Sequence, residues 1–206
     1  FPTRRSSDLT LYLENRSGWN EWGDVSLFTT GTDSFNEVIL QTGAYPYAYP
    51  QIFMLYEGDE YDYTGRTSEQ ILLFLDQDSE KVCLMYSIYQ DSGDGRGYTW
   101  TQPSPVDADT AGDDTPRVED LGDKLFITWS SQSRIDSDNP VDKLNSRDIK
   151  AVFFDKSTKS FSDVQYITQT TDADKTADDY ASASYYKATD GTELLMVTYI
   201  KTQYEQ

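Results

Sequence analysis

The stretch IKAVFFDKSTKSFSDVQYI, residues 149–167, decides the fold. A run of apolar residues ends at Asp155, a polar turn follows, and a second run with alternating apolar residues begins at Phe161. Val, Ile, Phe and Tyr favour strands, and a short polar segment between two such runs favours a turn. The stretch therefore predicts an antiparallel β-hairpin.

Two earlier stretches have the same layout: WGDVSLFTTGTDSFNEVIL, residues 22–40, and VCLMYSIYQDSGDGRGYTWT, residues 82–101. An aromatic residue follows each turn, at Phe35, Trp100 and Phe161, and the two intervals between these positions are nearly equal. A long, regular repeat of this kind is typical of an array of supersecondary units.

A second pair of strand-like runs follows each of the last two hairpins, after an acidic loop. Turns at Gly122-Asp123 and Asp190-Gly191 separate the runs of each pair, and Asp-Gly between alternating runs is a strong hairpin signal. No segment has the periodicity of a helix. Each unit is therefore predicted to hold four short antiparallel strands.

Stacking such units around an axis buries faces that one unit alone leaves exposed. The sequence thus predicts an all-β fold, a partial β-propeller of about three four-stranded antiparallel blades. A β-sandwich and a parallel β-helix are the alternatives. The predicted blades cover residues 10–41, 45–106 and 115–168, with an incomplete blade at 181–206. Residues 1–9 resemble a translated sequencing-adaptor scar from a metagenomic fragment, and both ends are expected to be cut.

Composition narrows the classes of function. The 36 acidic and 17 basic residues give a net charge of −19, which repels nucleic-acid phosphates and anionic membranes. We expect no nucleic-acid partner and no membrane insertion. The chain has no histidine, which excludes a Ser-His-Asp triad within it. The single cysteine, Cys83, is expected to be buried, and a chain without disulfides fits a bacterial protein.

One motif carries a family resemblance. The segment SGDGRGYTW, residues 92–100, resembles the Asp-box (BNR repeat) of sialidase-like β-propellers, Ser-x-Asp-x-Gly-x-Thr-Trp, with one extra residue before the glycine. The residues that carry the resemblance are Ser92, Asp94, Gly97, Thr99 and Trp100, together with Asp155 and Phe161 of the next copy. The motif is structural in this family, because its aspartate fixes a hairpin turn away from the catalytic face.

The resemblance also implies a chemistry: three arginines that bind a substrate carboxylate, a tyrosine nucleophile paired with a glutamate, and an aspartate acid/base. Arg117, at the start of an inner-type strand, is the candidate arginine. No Tyr–Glu pair can be identified from spacing, and the catalytic residues stay unknown. The three-arginine pattern is incomplete in this chain.

Other residues are candidates for binding. Tyr45, Tyr47 and Tyr49 alternate along an extended segment and, with Trp19 and Trp22, predict an aromatic platform for sugar stacking. The oxygen-rich loop containing Asp136, Asp138 and Asp142 is a Ca²⁺ candidate, although it lacks the full EF-hand pattern. No other cofactor is expected.

Three hypotheses of function follow. The first is a non-catalytic propeller module of a bacterial secreted or cell-surface protein, with a carbohydrate or a surface protein as partner. The second is a sialidase-like glycoside hydrolase with some catalytic residues in further blades. The third is a structural spacer.

Overall fold

A computed structural model describes residues 11–13, 24–31, 34–42, 49–56, 69–78, 81–95, 97–108, 112–132, 146–170 and 176–203. The chain divides into two compact units: residues 1–78 with 85–105, and residues 79–84 with 106–206. The described residues form strands and turns, so the all-β prediction is confirmed. No helix in these ranges is long and apolar enough to cross a membrane.

Two sheets contribute strands to the first unit. Strands β1 (Leu11–Leu13), β2 (Asp24–Gly31) and β3 (Ser34–Thr42) form one sheet in that order, with β1 parallel to β2. The other sheet has the order β4-β5-β6-β7, with β8 also on β6; its strands are β4 (Gln51–Tyr56), β5 (Glu69–Asp78), β6 (Lys81–Asp91), β7 (Tyr98–Trp100) and β8 (Ser104–Pro105).

The second unit repeats this layout. Its first sheet has the order β9-β10-β11-β12, with β13 also on β11; its strands are β9 (Gly112–Asp120), β10 (Lys124–Gln132), β11 (Arg147–Asp155), β12 (Ser160–Phe161) and β13 (Gln165–Tyr166). Strands β14 (Thr176–Lys187) and β15 (Glu193–Gln203) form an antiparallel pair. In each of the longer sheets, two short strands share the fourth position. The antiparallel hairpins are confirmed, and the propeller arrangement stays a prediction.

The core of the second unit lies between its two sheets and within β10 and β11. All residues from Leu125 to Ser131 are buried, because β10 is a central strand that is covered on both faces. Strand β14 packs against β9, β10 and β11. The two sheets of this unit therefore share one core.

Strands β4, β9 and β14 share an unusual backbone feature at or near their first residues. Tyr49, Thr115 and Tyr180 have left-handed backbones, with φ of 45°, 48° and 54°, and they recur at nearly equal intervals along the chain. In the second unit a break in strand register falls at this point, between Thr128 and Ser130 for β9–β10 and between Asp179 and Ser182 for β14–β15. The left-handed residue is thus the extra residue of a β-bulge.

The two ends of the sheets in the second unit differ. Short turns, residues 121–123, 156–159 and 188–192, lie at one end, which we call the short-turn end. The first residues of β9, β11 and β14 and the last residues of β10 and β15 lie at the opposite end, the long-loop end. Long connections between strands more often carry function than tight turns.

Candidate functional site

Arg147 joins two carboxylates at the long-loop end. It is the first residue of β11, and its Nη2 lies 3.0 Å from Asp114 Oδ2, while its Nη1 donates to Asp179 Oδ2. Ser130 Oγ also donates to Asp179, and Thr115 Oγ1 lies 2.9 Å from Ser130 Oγ. We call Asp114, Thr115, Ser130, Arg147 and Asp179 the clasp.

The clasp connects the β9–β13 sheet to the β14–β15 sheet. Asp114 and Asp179 occupy equivalent positions, each directly before a left-handed residue. Both acceptors of Arg147 come from this one chain, so its positive charge is already compensated. The geometry therefore fits a connection between sheets better than a grip on a substrate carboxylate.

A buried aspartate directly precedes each of the two clasp aspartates in the sequence. Asp113 accepts hydrogen bonds from the Trp129 indole at 3.0 Å and from the backbone N–H of Leu84 at 2.9 Å. Its repeat equivalent, Asp178, is fully buried and has an ion pair with Lys201 at 3.6 Å. No hydrogen-bond partner of the Asp178 carboxylate lies within the described ranges.

Asp148 is a further buried carboxyl group at this end. Burial raises the pKa of Asp148, and the nearby charge of Asp178 adds to this effect. A hydrogen bond of 2.6 Å from the backbone N–H of Thr170 opposes it. The net effect is that the pKa of Asp148 lies above its ordinary value.

A pocket of about 480 Å³ lies at the short-turn end of the second unit. Its walls combine two aromatic rings with charged groups; the lining residues are Leu121, Asp123, Lys124, Phe153, Tyr185, Lys187 and Glu193. Volumes of this size are typical of small-ligand sites. We call it the short-turn pocket.

Lys187 and Glu193 fix the electrostatics of this pocket. They are cross-strand partners, and Lys187 Nζ donates to Glu193 Oε1 at 2.6 Å. This contact lowers the pKa of Glu193 and raises the pKa of Lys187, so both stay charged at neutral pH. The pKa of Tyr185 is raised by burial first and by the negative charge of Glu193 second.

The pocket brings one tyrosine and one glutamate together, Tyr185 and Glu193. A tyrosine nucleophile needs a readily lost proton, whereas the pKa of Tyr185 is shifted upward. Glu193 remains ionised and accepts hydrogen bonds, so it is a poor general acid. The pair offers one aromatic face and several fixed polar atoms, which is an arrangement for binding.

Two of the residues predicted for binding, Arg117 and Tyr49, lie within the described ranges. Arg117 is exposed, and its Nη1 donates to the carbonyl of Pro116 at 3.0 Å. Tyr49 is exposed at the start of β4. The other platform residues and the Ca²⁺ candidates lie outside the described residues: Trp19, Trp22, Tyr45, Tyr47, Asp136, Asp138 and Asp142. In the described ranges, no group of three or more His, Cys, Asp or Glu side chains could hold a metal ion.

The Asp-box-like residues lie in two hairpin turns. Trp100 packs on Tyr89 at 5.3 Å and Phe161 on Phe154 at 4.8 Å between ring centroids, each against its paired strand. Gly97 has φ of 92°, and its carbonyl accepts the Ser92 N–H at 2.9 Å. Ser92 Oγ donates to Asp94. Thr99 pairs with Gln90 in the β6–β7 register.

The aspartates of these turns differ in their contacts. Asp155 Oδ1 accepts the backbone N–H groups of Ser157 and Thr158 at 2.9 and 3.0 Å. In the earlier hairpin, the N–H of Gly93 donates to Asp91 Oδ1 at 2.9 Å. The Asp-box pattern does not indicate the Asp91 contact, because it assigns the turn aspartate to Asp94.

Two signals in the sequence could have indicated the clasp and the pocket. The pair Asp113-Asp114 recurs as Asp178-Asp179, each time directly before a strand-like run. Lys187 and Glu193 flank the predicted Asp190-Gly191 turn, which makes them cross-strand neighbours. No sequence signal identifies Arg147, because its partners are set by the packing of two sheets.

No protein-family model, curated protein or solved structure matches this chain.

Proposed function

We propose that the chain is a non-catalytic β-propeller module of a bacterial secreted or cell-surface protein, and that it binds carbohydrate in the short-turn pocket. The observation that carries the proposal is the composition of that pocket. Phe153 and Tyr185 supply aromatic surface, while Lys187 and Glu193 hold fixed donors and acceptors. Sugars combine apolar C–H faces with hydroxyl groups, and this lining offers a partner for both.

The propeller part of the proposal rests on repetition. Two sheets share one strand order, and left-handed residues recur at a nearly constant interval, at Tyr49 before β4, at Thr115 in β9 and at Tyr180 in β14. In the second unit, one sheet packs its inner strand against the strands of the sheet before it. Sheet-on-sheet stacking of this kind is the basis of propeller architecture.

Binding to a printed array of neutral, uronate-containing and sialylated oligosaccharides tests the proposal. We expect selective binding by the intact chain, and at least about tenfold weaker binding by Tyr185→Ala, because roughly 1.4 kcal/mol corresponds to tenfold. Tyr186→Ala is the matched control: Tyr186 is the next residue, is 61% exposed and does not line the pocket. Absence of binding, or equal loss in both variants, would overturn the proposal.

The glycoside hydrolase is a second candidate, favoured by one observation. Asp148 has a raised pKa, as a general acid requires, and Asp178 is a second carboxyl group close enough to influence it. Release of a fluorophore from a sialic-acid glycoside, lost in Asp148→Asn, would support this candidate over the binding module. No turnover by the intact chain would count against it.

A further inference from the structure

The β14–β15 sheet leaves one apolar face uncovered. Leu194, Met196 and Ile200 lie on the same side of β15, at alternating positions, and are 57%, 62% and 56% exposed. Tyr186, the register partner of Leu194, is 61% exposed. We call Tyr186, Leu194, Met196 and Ile200 the rear face.

The same positions are covered in the preceding sheet. Thr128 pairs with Arg117 and Thr198 with Ser182, and each partner lies two residues after a left-handed residue. This register makes Phe126 equivalent to Met196 and Ser130 equivalent to Ile200. Phe126 and Ser130 are 3% and 1% exposed, because β14 packs over them and Asp179 binds Ser130.

In the second unit, the surface that covers the face of β10 is one side of β14. Ala183 and Tyr185, three and five residues after the left-handed Tyr180, lie on the half-buried side of β14. The equivalent residues in β4 are Ile52 and Met54, counted from Tyr49. Ile52 and Met54 are 38% and 41% exposed, so β4 presents an uncovered face of this kind, which we call the front face.

The two uncovered faces also match in polarity. In the covered pair, the hydroxyl of Ser130 meets the carboxylate of Asp179, the residue directly before the left-handed Tyr180. On the rear face Ile200 replaces Ser130, so an apolar side chain stands where the covered pair has a hydroxyl. The front-face residues Ile52 and Met54 are apolar too, so an apolar surface is present on each side.

We infer that this chain self-associates head to tail, with the rear face of one copy covered by the front face of a second copy. The contact repeats the packing already present between the two sheets of the second unit. It is heterologous, because two different surfaces meet. The net charge of −19 opposes association, so the contact forms best at an ionic strength that screens this charge.

Sedimentation velocity of the intact chain over a range of concentrations, in about 0.3 M salt, tests the inference. We expect concentration-dependent dimers and larger species. Met196→Lys on the rear face and Ile52→Lys on the front face are each expected to abolish association. Thr189→Lys adds the same charge in the exposed β14–β15 turn and should associate like the unmodified chain. Far-UV circular dichroism verifies that all three variants are folded.

Mixing the two disrupted variants separates head-to-tail contact from symmetric pairing. Met196→Lys keeps its front face and Ile52→Lys keeps its rear face, so an equimolar mixture should form dimers that do not grow further. A symmetric β15–β15 contact would leave Ile52→Lys associating normally, and that result would overturn the inference. A chain that stays monomeric at all concentrations would also overturn it.

Discussion

Arg147 is bound on two sides by carboxylates from different strands. Its side chain is 25% exposed, and that of Asp179 is 12% exposed. A carboxylate held in such a place depends on its partner, because burial removes much of the water that would stabilise its charge. Asp114 is more exposed, so its ion pair with Arg147 contributes less to stability.

We expect Arg147→Met to lower the free energy of unfolding by about 2–3 kcal/mol, since it leaves Asp179 without its cation. Arg117→Met is the control: Arg117 is exposed and donates to the carbonyl of its own neighbour. Its loss should change stability by no more than about 0.5 kcal/mol. Urea denaturation compares the two variants, and equal effects would contradict the role of the clasp.

A second residue-scale prediction concerns the left-handed Tyr180, which is 59% exposed. A side chain in this conformation is strained, and glycine is not. Tyr180→Gly should therefore raise the free energy of unfolding by about 0.5–1 kcal/mol. Tyr186→Gly, at similar exposure but within a regular strand, should lower it by about 1 kcal/mol. Thermal and urea denaturation should place the two variants on opposite sides of the unmodified chain.

At the scale of elements, four hairpin turns of the described chain share one device. Asp91, Asp120, Asp155 and Asp190 each accept the backbone N–H of the residue two positions later, at 2.9 Å in every case. An aspartate in this position stabilises a tight turn by replacing a backbone acceptor. Part of the acidic composition is therefore explained by turn formation.

The Asp155 turn is expected to be sensitive to acid. Hydrogen bonds from Ser157 and then Thr158 lower the pKa of Asp155 from 3.8 to about 2. A lowered folded-state pKa means that this stabilisation is complete above about pH 4 and is lost as the pH falls towards 2. Asp155→Ala should lower the Tm at pH 7 and flatten its dependence on pH within that window. An unchanged profile would show that the carboxylate does not stabilise the turn.

At the scale of the whole molecule, the hairpins could be predicted from the sequence, whereas the assembly of the clasp and of the short-turn pocket could not. The hairpins and the Asp190-Gly191 turn follow from local patterns, and their strands are present. The clasp depends on residues that are distant in the sequence, since Arg147 binds both Asp114 and Asp179. The short-turn pocket likewise draws its walls from several strands. Local patterns do not encode which sheets meet, so they point to single residues of these sites, such as Asp179 and Glu193, and not to the way the sites are assembled.

The net charge of −19 gives a prediction for the intact chain. Mutual repulsion among carboxylates favours expanded states, and salt screens it. Raising NaCl from about 0.01 M to about 0.5 M should increase the Tm. Choline chloride at the same ionic strength should have the same effect, since screening does not depend on a specific cation. A much larger increase with CaCl₂ at matched ionic strength would instead indicate a bound divalent ion.

The left-handed residues at Tyr49, Thr115 and Tyr180 mark equivalent points in the chain. The connections between them are placed differently: a long one, residues 57–68, follows β4, whereas another, residues 133–146, separates β10 from β11. The left-handed residues nevertheless recur at nearly equal intervals along the chain. Recombination between two of these points would remove or duplicate one repeat, because a segment that starts at one point can follow a segment that ends at an equivalent one. The left-handed positions thus offer crossover sites for building shorter or longer versions of the protein.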